Sequence, residues 1–229
     1  MYGLKTLALV PLLVFSVSGQ SSKIRYMPYG DSITEIVCWR GLLYTQLQAA
    51  GYKNVDFVGS GTGQNPSGCS TVTYDRDNEG HSGFLAIDIA NKKQLVGWLQ
   101  KNPADIITMH LGTNDLAQSK PTTDILTAFS TLIDVMRASN PAMKIIVAQI
   151  IPNNFMNTAV QALNKAVPAW AVSKNTTASP IWVVDQYTGF PASDLSDGIH
   201  PNAAGDARMA AKWFPALEHA IKLMNVTGN

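Results

Sequence analysis

Short apolar runs alternate along this chain with longer segments of helical periodicity, and this alternation constrains the fold more than any other feature. Strands of a parallel sheet are buried on both faces and are joined by helical crossovers, so they appear as short continuous apolar runs. We therefore predict an α/β fold, a three-layer α/β/α sandwich around a central five-stranded parallel sheet. The predicted strands are residues 24–29, 55–58, 106–111, 144–150 and 181–184.

Helices are expected between and after these strands, where apolar residues recur at helical spacing. Pro201 could begin the last of them, because its fixed φ suits a first turn. Residues 59–83 have little periodicity and many Gly, Ser, Thr, Asn and Asp residues, so we expect a long loop that carries function or is closed by a disulfide. The predicted helices are residues 39–50, 87–100, 123–139, 158–174 and 202–224.

Composition limits the domain number and the class of partner. Hydrophobic residues make up 46% of the 229 residues and charged residues 14%, and the formal net charge is +1. A chain of this length and balance suits one compact domain, which we expect to be a monomer and to span residues 21–229. Neither a nucleic-acid partner nor disorder is indicated, because no excess of one charge is present.

The first twenty residues resemble a secretion signal. Lys5 precedes an apolar stretch at residues 7–17, and small residues follow at 17–19, where a signal peptidase could cut. A membrane anchor is the alternative, but this run of about a dozen apolar residues is shorter than the roughly 20 that span a bilayer. We therefore expect a secreted protein without a membrane partner, in which Asn175 and Asn225 lie in glycosylation sequons.

Secretion also affects the interpretation of the two cysteines, Cys38 and Cys69. In an oxidising environment they are expected to form a disulfide that closes part of the long loop. Two buried free thiols are the alternative.

Ligands bind beyond the carboxyl ends of the strands in an open α/β sheet, so the residues that follow each strand are candidates for a site. Ser32 follows the first strand and could be a nucleophile, although a serine in this position often caps a helix. Gly83 ends the long loop and could present its N–H to an oxyanion, or it could simply serve a turn. Asn114 follows the third strand and could donate a second hydrogen bond, or it could form an Asx turn.

The segment Asp197-Gly198-Ile199-His200 follows the last strand and offers the remaining parts of a hydrolytic site. Across one turn, the Asp197 carboxylate can reach Nδ1 of His200 and leave Nε2 free to accept a proton from a serine. A structural Asp–His pair that caps the last helix is the alternative. Trp39 and His81 adjoin these segments and could contact a sugar ring, or they could serve core packing and a turn.

These segments resemble the blocks of the SGNH or GDSL hydrolase superfamily. The matches are Gly30-Asp31-Ser32, Gly83, Gly112-Thr113-Asn114-Asp115 and Asp197-Gly198-Ile199-His200. The resemblance implies a flavodoxin-like fold, a Ser32–His200–Asp197 triad, and an oxyanion hole formed by Ser32, Gly83 and Asn114. It implies no metal and no organic cofactor.

The flanking stretches 30–35, 79–83 and 38–40 resemble carbohydrate esterase family 3, which is known for acetyl xylan esterases. The resemblance implies an enzyme that removes acetyl groups from acetylated plant cell-wall polysaccharide. Alternatives are an esterase of the same superfamily acting on rhamnogalacturonan acetate, lipid or small acyl esters, an inactive carbohydrate-binding relative, and an acyltransferase. The Gly-x-Ser-x-Gly sequence of the α/β-hydrolase fold is absent around Ser32.

Overall fold

The computed structural model describes residues 23–61, 69 and 72–226, except for the side chains of residues 225 and 226. The predicted signal peptide, residues 1–20, and the Asn225 side chain lie outside the described residues. Asn175, the other predicted glycosylation site, is exposed. No helix in the described ranges is both long enough and apolar enough to cross a membrane.

The predicted parallel sheet between helices is confirmed. Its strands are β1 Ile24–Gly30, β2 Val55–Phe57, β3 Glu79–Gly80, β4 Ile106–His110, β5 Lys144–Gln149 and β6 Ile181–Asp185. Their order is β2-β1-β4-β5-β6, and every pairing is parallel.

The predicted number of five strands is wrong, because β3 is a sixth strand that lies within the long loop. It pairs with Tyr29 and Gly30 at the end of β1, whereas β2 pairs with the beginning of β1. Two residues are too few to produce an apolar run, so this strand leaves no pattern in the sequence. Its consequence is that the end of the long loop lies beside the end of β1.

Helices cover both faces of the sheet. They are α1 Ser32–Glu35, α2 Trp39–Ala49, α3 Ala86–Asn91, α4 Gln94–Lys101, α5 Thr113–Ala117, α6 Thr122–Ser139, α7 Asn157–Lys174 and α8 Ala203–Val226. Helices α2 and α8 pack together, while α3, α4, α6 and α7 form the other layer. One hydrophobic cluster joins both layers to the sheet.

Two helix predictions need correction. The segment 87–100 is two helices rather than one, because Lys93 adopts a left-handed conformation with φ of 53° between α3 and α4. The last helix begins at Ala203 rather than Pro201. Its first turn is capped by the Asn202 side chain, whose Oδ1 accepts hydrogen bonds from the backbone N–H groups of Ala204 at 3.0 Å and Gly205 at 3.2 Å.

Cys38 and Cys69 form the predicted disulfide, with a Cα–Cα distance of 5.3 Å. The bridge packs against Tyr74 in a small cluster separate from the main core. It ties the residue before α2 to the long loop and so anchors the loop at Cys69, between β2 and β3.

Candidate active site

Ser32 is the first residue of α1, just beyond the carboxyl end of β1. The cap of this helix is Asp31 rather than Ser32, because Asp31 Oδ1 accepts a hydrogen bond of 3.0 Å from the Ile33 N–H. A side chain at Gly30 would place its Cβ 2.2 Å from Thr34 Oγ1 and 2.6 Å from the His110 carbonyl oxygen. Only glycine therefore permits this tight turn, which leaves the Ser32 hydroxyl free to face another group.

His200 provides that group. Its Nε2 lies 2.8 Å from Ser32 Oγ, and its Nδ1 lies 2.7 Å from Asp197 Oδ2. The turn that carries both residues is closed by a hydrogen bond of 2.8 Å from the Ser196 N–H to the His200 carbonyl oxygen. The structure thus brings the three predicted residues into one hydrogen-bonded chain across 168 sequence positions.

The environment of Asp197 keeps its carboxylate ionised. Desolvation favours the neutral form, but hydrogen bonds from the N–H and ring of His200 and from the Ile199 N–H outweigh it and lower the pKa of Asp197 to about 2. A negative charge beside Nδ1 stabilises the proton on that nitrogen. Nε2 is then left to accept a hydrogen bond from the Ser32 hydroxyl, as a general base must.

Gly83 lies in a turn that the pairing of β3 brings beside the end of β1. The His81 N–H donates to the Gly30 carbonyl oxygen at 3.0 Å, which continues the pairing past the strand. Glu35 in α1 then fixes the turn, because its Oε2 accepts from the Ser82 N–H at 2.7 Å and from Ser82 Oγ at 2.5 Å. Gly83 has φ of +80°, a conformation that favours glycine.

Asn114 lies in α5, directly after β4. Its Nδ2 donates a hydrogen bond of 3.1 Å to the carbonyl oxygen of Phe84, the residue after Gly83. Of the three predicted oxyanion donors, Gly83 and Asn114 are therefore linked through Phe84, and one N–H of the Asn114 amide remains for a ligand. Asp115 has a structural part, as its carboxylate accepts from the N–H groups of Ala86 and Ile87 at the start of α3.

The residues that hold the Gly83 turn in place were not found from the sequence. Glu79 in β3 is fully buried and accepts hydrogen bonds from His81 Nε2 at 2.7 Å, from the Ser60 N–H at 2.9 Å and from Ser60 Oγ. Arg40, also buried, donates to the carbonyl oxygens of three residues in α1 and the long loop, namely Thr34, Glu35 and Arg76. The sequence offers only one weak signal for such a role, a charged residue such as Glu79 within a Gly-rich stretch.

Trp39 and His81 do not form an open sugar-binding surface. Trp39 is 1% exposed, and its ring N–H donates to the Ile33 carbonyl oxygen at 2.6 Å, so core packing is the correct interpretation. The His81 ring stacks on Trp98 with the centroids 4.0 Å apart, in addition to its contact with Glu79.

Comparison with solved structures identifies close relatives of this fold. An acetyl esterase mutant crystallised with an acetate ion is 39% identical, with a TM-score of 0.84 and coverage of 88% of this chain and 99% of the other. A carbohydrate esterase family 3 protein from Talaromyces cellulolyticus is 40% identical, with a TM-score of 0.83 and coverage of 87% and 98%. The family 3 carbohydrate esterase of Clostridium thermocellum is 28% identical, with a TM-score of 0.75 and coverage of 88% and 99%.

Sequence comparison gives the same family. A multidomain esterase of Ruminococcus flavefaciens is 28% identical over 246 aligned positions, which cover 96% of this chain and 31% of the relative. The chain thus spans about a third of the length of that protein. The model of the GDSL-like lipase/acylhydrolase family matches residues 29–208, which include Ser32, Gly83, Asn114, Asp197 and His200. The chain therefore belongs to the GDSL-like lipase/acylhydrolase family of ester hydrolases.

Proposed function

We propose that this protein is a secreted serine carbohydrate esterase that removes acetyl groups from acetylated xylan. The observation that carries the proposal is the hydrogen-bonded chain from Ser32 Oγ through His200 to Asp197. Such a chain activates a hydroxyl that is otherwise unreactive at neutral pH.

In the acylation step, Ser32 Oγ attacks the ester carbonyl carbon while His200 Nε2 takes the hydroxyl proton. The negative charge that develops on the carbonyl oxygen is stabilised by the N–H groups of Ser32 and Gly83 and by the Asn114 amide. When the bond from the carbonyl carbon to the sugar oxygen breaks, His200 returns the proton to that oxygen. The products are a free sugar hydroxyl and an acetyl group on Ser32.

Deacylation repeats these transfers with water. His200 accepts a proton from a water molecule as the water oxygen bonds to the acetyl carbon, and the same donors stabilise the second tetrahedral intermediate. The bond to Ser32 Oγ then breaks, and His200 returns its proton to Oγ. Acetic acid leaves and loses its remaining proton to solvent, and the hydroxyl of Ser32 is restored. Asp197 keeps its charge throughout, in keeping with its low pKa.

The choice of an acetyl group on xylan rests on similarity. An acetyl esterase and two family 3 carbohydrate esterases match nearly the whole of this chain with TM-scores from 0.75 to 0.84. Secretion rests on the sequence of residues 1–20 and is supported by the disulfide of Cys38 and Cys69, a bond that persists in oxidising compartments.

The decisive experiment measures acetate release from acetylated xylan by the wild type and by Ser32→Ala. We expect release by the wild type and a loss of about a thousandfold or more in the variant, because the nucleophile is gone. Ser139→Ala, which changes an exposed serine at the end of α6, is the matched control and should behave as the wild type.

The same assay should include rhamnogalacturonan acetate and aryl esters of longer acyl chains. If either is hydrolysed faster than acetylated xylan, the proposed substrate is wrong, while the proposed mechanism still holds. Near-native activity of Ser32→Ala on an aryl acetate would contradict the mechanism itself.

A further inference from the structure

A cleft of about 540 Å³ lies beside the catalytic turn and takes no part in the proposed proton transfers. We propose that this cleft binds sugar units of the polysaccharide next to the acetylated one, as a subsite for an uncharged oligosaccharide. This inference rests on the proposed function and specifies where the rest of the substrate lies. The cleft is lined by residues that follow β5 and β6 and by one residue of α8, chiefly Asn153, Asn154, Asn157, Tyr187, Phe190 and Arg208.

The cleft adjoins the triad through direct contacts. The Asn154 N–H donates a hydrogen bond of 2.9 Å to the carbonyl oxygen of Gly198, which lies between Asp197 and His200. A Cβ built on Gly198 would lie 3.3 Å from Asn154 Cβ. A chain of sugars whose acetyl group lies at Ser32 can therefore extend across this turn into the cleft.

Polar side chains that line the cleft can bind the hydroxyl groups of a sugar. Asn153 and Asn157 line the cleft. Asn153 Nδ2 and Asn157 Oδ1 have no hydrogen-bond partner among the described residues, but both atoms are covered by protein rather than open to the cleft. The Tyr187 hydroxyl accepts hydrogen bonds of 2.8 Å from Asn157 Nδ2 and from Gln161 Nε2, so its own hydrogen is left for another acceptor. The Tyr187 hydroxyl can therefore donate to a sugar oxygen, and it lies among the polar residues that line the cleft.

The charges in the cleft favour an uncharged ligand. Arg208 lines it, but its Nε donates to Asp194 Oδ2 at 2.9 Å, and the two charges offset each other. The other edge of the guanidinium still has N–H groups that can donate to sugar oxygens. An anionic sugar would lose part of its attraction to Arg208 through the nearby Asp194 carboxylate.

An exposed aromatic ring lies beside the catalytic turn. Phe155 is 74% exposed, and its Cε2 would be 2.9 Å from a Cβ at Gly198. Its backbone N–H donates to Oδ1 of the buried Asn153 at 2.9 Å, which fixes the turn that presents the ring. A single exposed apolar side chain is common on protein surfaces, so this ring supports the proposal only by its place beside the catalytic turn.

Binding can be tested apart from ester hydrolysis with xylohexaose, which carries no acetyl group, in an NMR titration of the Ser32→Ala protein. Ala192→Tyr, added to this protein, places a ring in the cleft from an exposed position of its lining. We expect affinity to fall by about tenfold or more, since the sugar loses its contacts with the lining. Tyr187→Phe removes only a hydroxyl and should weaken binding by about two- to tenfold, the value of one hydrogen bond.

The matched control is Ala178→Tyr, which places the same ring on an exposed residue before β6, at the opposite end of the strand. It should bind xylohexaose as the Ser32→Ala protein does. The proposal is overturned if the Ser32→Ala protein shows no saturable binding, or if Ala192→Tyr and Tyr187→Phe both bind as the control does. Tighter binding of an oligogalacturonate, which is anionic, than of xylohexaose would refute the claim that the cleft selects an uncharged ligand.

Failure of the proposed function is seen separately, as an absence of acetate release by the wild type from every acetylated polysaccharide tested. The titration does not depend on that result, because its ligand has no ester bond. A wild type that releases acetate without any binding of xylohexaose in the cleft would refute only the subsite.

Discussion

Asp31 is fully buried beside Ser32, and its Oδ2 has no hydrogen-bond partner among the described residues. Desolvation raises the pKa of Asp31 to about 7, although the hydrogen bond from the Ile33 N–H and the nearby His200 act in the opposite direction. The residue caps α1 through its other oxygen. A carboxyl group that favours its neutral form therefore lies directly before the nucleophile.

This burial predicts that Asp31→Asn stabilises the protein at neutral pH. Between about pH 4 and pH 7 the folded wild type keeps a proton that the unfolded chain has lost, so its free energy of unfolding falls as pH rises. A folded pKa of about 7, against about 3.9 for an unburied Asp, corresponds to about 4 kcal/mol at most. The amide side chain of the variant keeps an oxygen that can accept from the Ile33 N–H. It has no carboxyl proton to lose, so the variant's free energy of unfolding should not fall with pH for this reason.

Urea unfolding at pH values from 4.5 to 8, in steps of about half a pH unit, would measure the effect. This range covers the pH values at which the folded and unfolded states differ in bound protons. The variant should gain on the wild type as pH rises and the gain should level off above about pH 7. Asp134→Asn, at an exposed position of α6, is the control for the loss of a charge. Parallel curves for wild type and Asp31→Asn would show that the Asp31 carboxyl is not held neutral.

The contrast between Asp31 and Asp197 shows how far the sequence predicts this site. Asp197 could be assigned a partner because His200 is three residues away on the same turn, and the distance of 2.7 Å agrees with that prediction. Asp31 directly precedes Ser32 in sequence, but whether its carboxyl is exposed depends on packing from distant segments. Arg40 was missed for the same reason, as its carbonyl partners meet only when the long loop folds back.

At the scale of elements, the short strand β3 and the short helix α1 together place the Gly83 turn. The strand pairs Gly80 with Gly30, and the helix supplies Glu35, which binds both the N–H and the hydroxyl of Ser82. Neither element has enough residues for a periodic pattern, so the sequence predicted the role of Gly83 but not what holds it. The longer helices α2, α6 and α7 were predicted to within about two residues, because their apolar positions recur over several turns.

We expect Glu35→Ala to lower kcat on an aryl acetate by about ten- to a hundredfold while KM changes little. The reason is that the Gly83 N–H would lose its fixed position relative to the oxyanion, and small displacements of a donor cost rate more than binding. Glu35→Gln keeps an oxygen that can accept from the Ser82 N–H and should recover most of the rate. Steady-state kinetics of both variants, with thermal unfolding as the check on folding, would measure this.

A purely structural role for Glu35 would give another pattern. Both variants would then lose thermal stability, and kcat would follow the folded fraction. Full activity of Glu35→Ala would show that the Ser82–Glu35 contact does not position the turn.

At the scale of the whole molecule, the main core of the described residues is a cluster that passes through the sheet. Leu132 of α6 and Leu217 of α8 lie in different helical layers, and both are fully buried in that cluster. The strand β4 between them is buried at every residue. This continuity explains why a parallel sheet between helices could be predicted from apolar runs alone, and it implies that the two layers unfold together.

Cavity-forming changes in the two layers test that cooperativity. Leu132→Ala and Leu217→Ala should each lower the free energy of unfolding by about 3 kcal/mol, the usual cost of removing a buried leucine side chain. In each variant, tryptophan fluorescence and far-UV circular dichroism should report one shared denaturant midpoint, because neither layer has a core of its own. Val172→Ala, at a side chain 78% exposed on α7, should leave the midpoint unchanged. If the change in α8 shifted the fluorescence transition and left the dichroism transition in place, the layers would be separate folding units and the single domain would be refuted.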